Sequence, residues 1–221
     1  MNEKEWLAAT DVWPMFDLLH NRASDRKLRL FAVACCRSIC HFLEDKRSQV
    51  AVESSEACAD GLTTKCQLKQ SHTEAGWFAT NEFEDSPTKL IENPSHASAV
   101  AAYWVAHDPL YHHGLRATLH WVGIAQGLAP AEESGRFPSA VGLLRDIFPF
   151  HPATFNPSWL TSTVLSLTAG IYQEKAFDRM PILADALQDA GCENEEILNH
   201  CRQQGEHVKG CWCVDLILDK K

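Results

Sequence analysis

The chain lacks the short motifs that announce a known chemistry. No C-x-x-C occurs among its nine cysteines, which excludes a thioredoxin-type redox pair and the commonest zinc hairpin. There is no G-x-S-x-G, no P-loop and no G-x-G-x-x-G, so no nucleophile elbow or phosphate cradle is expected. No run approaches the ~18 to 20 apolar residues of a membrane helix. The opening residues Met1 to Trp6 are charged and carry no apolar h-region, so a secretion signal is not expected. Alternating strand patterns and Asn-Gly or Asp-Gly hairpin turns between them are missing too; the one Asp60-Gly61 pair ends a helical pattern.

What is present is a core. Apolar residues make up 45% of the 221 positions, with seven Trp and ten Phe, which excludes a disordered or fibrous chain. Twenty basic against twenty-nine acidic side chains give a net charge of −9. One basic cluster, Arg22, Arg26, Lys27, Arg29 and Arg37, stands out, and a solvated helix face is the reading it favours. Phosphate recognition needs a broader basic surface, so nucleic acid is not expected as a partner. The odd cysteine count argues against a secreted disulfide framework and for thiols packed in a reducing cytoplasm, with no membrane involved.

The periodicity is helical nearly throughout and predicts an all-α, globular multi-helix bundle of roughly ten helices. It is read as one domain over 1–221, with a possible subdivision near 128–137. Residues 24–43 are expected to form the most buried long helix, capped by Ser24. One stripe holds Leu28, Phe31, Cys35, Ile39 and Phe42, the other Val33, Cys36, Cys40 and Leu43. Gly61 and Gly191 sit where helices should close, and Thr63 or Thr64, Ser95, Asn156 and Asn194 where they should start. Pro109 is placed in the first turn of a helix running to about Gly127, and SPTKLIENP, 86–94, reads as a loop. Residues 192–218 are expected to form a helix–loop–helix with Trp212 and Leu216 turned inward.

The strings SDRKLRLFAVACCRSI, LLRDIF, FDRMPILADALQDAGC and HVKGCWCVDLILDKK resemble signature segments of an uncharacterised bacterial family abundant in planctomycetes. The resemblance spans residues 6 to 221. It implies a free-standing cytoplasmic protein and transfers no catalytic residues. Where that family commonly reads Gly-Asn-Pro-Phe after LLRDIF, this chain has Pro149-Phe150-His151-Pro152, and the loop should differ there.

Chemistry-bearing residues concentrate at the C-terminal end. Cys192, Cys201, His207 and Cys211, with Cys213 and His200 in reserve, could fill a tetrahedral structural zinc site; otherwise the cysteines pack and His207 is a solvated loop residue. Cys36 and Cys40 lie one turn apart among apolar neighbours, where burial makes thiols inert. His107, His112, His113 and His120 gather around one helix with Arg116. Only Asp108 is near as a carboxylate, so a polar face outweighs a metalloenzyme. Asp185 and Asp189 form an i, i+4 pair expected to be solvated. The leading expectation is a non-catalytic helical module that recognises an unknown protein partner. The alternative is a zinc-stabilised or metal-dependent protein built on the C-terminal set.

Overall fold

A computed structural model describes residues 1–19, 23–81, 93–110, 112–128, 138–151 and 154–220. The loop expected at 86–94 and the stretch 128–137 fall almost wholly outside them, as does Arg22. The described residues are all-α: twelve α-helices joined by turns and three short 3₁₀ turns, ten of the helices longer than six residues.

The chain divides into two compact units, Met1–Val141 and Gly142–Lys221. The first holds α1 (Glu3–Ala8), α2 (Val12–Leu19), α3 (Asp25–Arg37), α4 (Lys46–Ala59), α5 (Lys65–Asn81), α6 (Pro94–Val105) and α7 (His112–Ala125). Helix α8 (Pro138–Ile147) runs into the second, which continues with α9 (Ser162–Glu174), α10 (Met180–Asp189), α11 (Glu195–Arg202) and α12 (Trp212–Ile217).

Helix α3 is the centre of the first unit and packs against α4, α6 and α7. Ser24 accepts from the Lys27 amide as its N-cap, and Asp25 stands in the first turn, where the helix dipole favours an acid. Residues 29–36 are buried without a break, including Phe31 at 0% exposure and Cys35 and Cys36. Burial pushes the Cys36 thiol up to about 12, so it packs as a small apolar group. The helix is shorter than its apolar pattern: it ends at Arg37, and a 3₁₀ turn over Cys40–Phe42 follows. Ile39 and Leu43 remain buried across that turn, but Cys40 rotates out to solvent and leaves its expected stripe. Phe31→Ala is expected to cost about 3 to 5 kcal/mol, because the close-packed wall around a fully buried ring relaxes only partly. A denaturant melt showing a loss below about 1 kcal/mol would place Phe31 outside the core.

Three members of the basic cluster are paired rather than simply solvated. Arg29 is buried, donating to the Val105 and His107 carbonyls and pairing with Asp108 at 3.0 Å. Arg26 pairs with Asp60 and Arg37 with Glu56.

Two helix starts differ from their expected caps. Asn93, not Ser95, caps α6, because Pro94 has no amide to satisfy and its fixed φ suits the first helical position. Asn156 and Pro157 open only a 3₁₀ turn, after which Thr161 caps α9 and Leu160 is left exposed. Helix α7 begins at His112, three residues beyond Pro109. Gly61 and Gly191 close α4 and α10 at φ +70° and +86°, a backbone region in which a Cβ is strained.

Candidate metal centre

The second unit is built on an aliphatic core of Val164, Ile171, Leu183, Leu187, Ile197, Val214 and Ile217, with Trp212 packed into it. Helix α11 starts at Asn194, whose side chain accepts from two amides, and its apolar positions Ile197, Leu198 and Cys201 turn inward. That register also carries His200 inside. The loop after α11 returns through His207, and Cys211 stands at the N-terminal end of α12.

Helix α8 supplies the residue that the sequence reading left out. Asp146 is 2% exposed and lies in the last turn of α8, among Leu143, Leu144 and Ile147. A carboxylate there opposes the helix dipole and loses its hydration, so it needs donors. It has three. His207 Nδ1 lies 2.6 Å and His200 Nε2 3.3 Å from Asp146 Oδ1, and the Val208 amide donates to Oδ2 at 3.0 Å. Burial alone would raise the Asp146 carboxyl, but the two histidines reverse that and hold it below its ordinary value, as an anion.

Cys211 completes the group, its Sγ 3.1 Å from His200 Nε2 and 3.9 Å from His207 Nδ1. Donor atoms of Asp146, His200, His207 and Cys211 all lie within 4.8 Å of one another, and all four side chains are buried. Burial, with the Asp146 charge beside it, pushes the Cys211 thiol well up. Burial likewise lowers His200, so this ring is neutral. Its other nitrogen, Nδ1, accepts from Trp212 Nε1 at 3.1 Å, and the Gln203 amide lies 3.2 Å from the same atom. An indole N–H can only donate, so the proton of His200 sits on Nε2, facing Asp146 and Cys211. His207 Nε2 is buried with no partner.

Two of the four expected ligands, His207 and Cys211, enter this group, as does His200 from the reserve. The other two, Cys192 and Cys201, do not; Asp146 and His200 stand where they were expected. The reason is helical phase: Cys201, the neighbour of His200 on α11, turns its Sγ to within 3.4 Å of Cys213, and Cys192 follows Gly191 into the aliphatic core. His207 is buried rather than solvated. Asp185 is solvent-exposed and pairs with Arg202 at 2.8 Å. Sequence signals existed for both additions. Asp146 is the one acid inside LLRDIF, and His200 lies three positions from Ile197 on an inward face.

No family model, no curated protein and no solved structure matches this chain.

Proposed function

We propose that the chain is a non-catalytic helical module whose C-terminal unit is fastened by one structural transition-metal ion, zinc by its donor chemistry, on Asp146, His200, His207 and Cys211. The observation that carries this reading is the convergence of four ligand-type donors, from α8, α11, the 203–211 loop and the start of α12, inside an otherwise aliphatic core. A tetrahedral zinc ion with N, O and S ligands sets donor–donor edges of about 3.3 to 3.6 Å. The separations here, 2.6, 3.1, 3.3 and 3.9 Å, straddle that range. Four protein donors shut away from solvent leave no open position for a substrate, which is the pattern of a structural site rather than a catalytic one.

The same geometry speaks against a Cys–His–Asp relay. Such a relay needs one imidazole nitrogen on the thiol and the other on the carboxylate. Here Cys211 and Asp146 both approach His200 through Nε2 and His207 through Nδ1.

The ion would bind His200 through Nε2 and move its proton to Nδ1. Trp212 would then lose its acceptor, and the Gln203 amide would turn to accept through its oxygen, since the two ends of an amide are interchangeable in shape. Gln203 would hold that ring in place from outside the ligand set, a role typically worth 10- to 100-fold in metal affinity. The pairing of Arg26, Arg29 and Arg37 with carboxylates supports a partner other than nucleic acid.

The test is metal analysis of the full chain expressed with zinc supplied, followed by chelation and re-addition. The expected result is one zinc per chain, a fall in melting temperature on chelation and its recovery with zinc. Cys211→Ser and His200→Gln should lose the ion, and Gln203→Leu should weaken it. A metal-free product whose melting point ignores added zinc would end the proposal and leave the four side chains as a polar packing network.

A further inference from the structure

A second feature lies in the first unit. A cleft of about 370 Å³ opens between α2, α6 and α7, lined by Trp13, Trp104, His113, Arg116, His120 and Trp121 around Ala117. Its volume falls within the usual range for small-molecule sites. His113, Arg116, Ala117 and His120 follow one another at i, i+3, i+4 and i+7, so one face of α7 supplies three nitrogen-bearing side chains. Ala117, the small residue between them, leaves the floor open. Among the described residues no carboxylate lines the cleft, although the chain carries a net charge of −9.

The three indoles are fixed by their neighbours. The Arg116 guanidinium lies over the Trp13 ring at 4.3 Å. Stacking occupies a guanidinium's face and leaves its in-plane N–H edge for a ligand, and that edge matches a carboxylate or phosphate. Among the described residues no acid pairs with Arg116. His113 stands perpendicular to Trp104 at 5.3 Å, and His120 perpendicular to Trp121 at 5.6 Å. Buried His96 meets Trp121 from another side at 5.9 Å. Half-buried indoles held in this way offer flat apolar surface at little entropic cost, while each imidazole has an N–H to donate.

We infer that this cleft binds a small planar anion: an aromatic or heteroaromatic ring carrying a carboxylate or phosphate. The ring would lie against the indoles over Ala117, and the anionic group would take the Arg116 edge with His113 or His120 beside it. Indole surface alone would suit a neutral ring, and arginine alone would suit any anion. Their juxtaposition in one cleft selects a molecule with both parts.

The site is independent of the metal centre, and its test uses the full chain. Tryptophan emission and calorimetry are followed during titration with adenosine monophosphate and, separately, with indole-3-carboxylate, which distinguishes a nucleotide from an aromatic acid. Adenosine and inorganic phosphate serve as half-ligands of the first probe, indole and acetate as those of the second. At least one ring-bearing anion should bind, and its half-ligands at least about tenfold more weakly. Arg116→Gln, which shortens the side chain and loses the charged fork, should weaken binding about tenfold, the order expected for a charge-assisted hydrogen-bonded pair. Ala117→Leu, which fills the floor, should abolish it. Failure of both probes to bind at millimolar concentration overturns the inference. So does binding that neither substitution changes, or phosphate alone binding as tightly as the complete ligand.

Discussion

Asp146→Ala is expected to cost the metal-free C-terminal unit about 3 to 5 kcal/mol, the range for breaking a buried charged network by removing one partner. The carboxylate accepts from His207, His200 and the Val208 amide, and alanine would leave those buried groups without their acceptor. Asp146→Asn should cost less, since one carbonyl oxygen still accepts, and it separates loss of charge from loss of shape. Equilibrium urea melts read both. A cost under about 1 kcal/mol for the alanine variant would mean that the cluster adds nothing to the fold.

His200 and Asp146 make the metal-free unit acid-labile, with the same sign. His200 is depressed from 6.5, so the unfolded chain takes up its proton first, and stability falls as pH drops below about 6.5. Asp146 is depressed from 3.8, so its contribution is complete above that value and is lost as pH falls through the lower folded one. Asp146→Ala should erase the second decline.

The helices were legible because their signals are local. Ser24, Asn194, Gly61 and Gly191 each satisfy or release backbone groups within a few residues, and these caps stand where the sequence puts them. The ends that moved answer to local competition: Pro94 makes Asn93 a better cap than Ser95, and the turn after Arg37 breaks a stripe whose apolar spacing continues to Leu43. The centre was half legible for a different reason. His207 and Cys211 were in the expected set and His200 stood in reserve, all within twelve residues, whereas Asp146 is 61 positions from His207 and joins it only through tertiary packing. Cysteine count also misled, since a thiol signals a ligand and a small core residue equally. Helix phase, fixed by Ile197 and Leu198, decides that Cys201 faces Cys213 and His200 faces Asp146. The buried Arg29 was hidden likewise, because its carbonyl partners at Val105 and His107 come from a distant segment.

Removing residues 205–221 is expected to unfold the second unit rather than trim a tail. The segment carries Cys211, Trp212, Cys213, Val214 and Ile217, all buried in a core to which α9 and α11 pack, with Leu216 and Leu218 half-buried beside them. Full burial of a large apolar side chain stabilises by about 1.5 to 3 kcal/mol, so losing Trp212, Val214 and Ile217 alone approaches the 5 to 15 kcal/mol that holds a typical domain together. The deletion also takes His207 and Cys211 from the centre and the Val208 amide from Asp146, and strands Val164, Ile171 and Leu183 without their cover. Polar and apolar losses therefore fall on the same small unit, where neither can be offset by repacking. Amide hydrogen exchange resolves the outcome by segment: protection across α9, α10 and α11 should collapse, while α3, α4 and α6, whose caps and core lie within Met1–Val141, should keep theirs. Unchanged protection in α9 and α10 would show that the last helix decorates a core that stands without it.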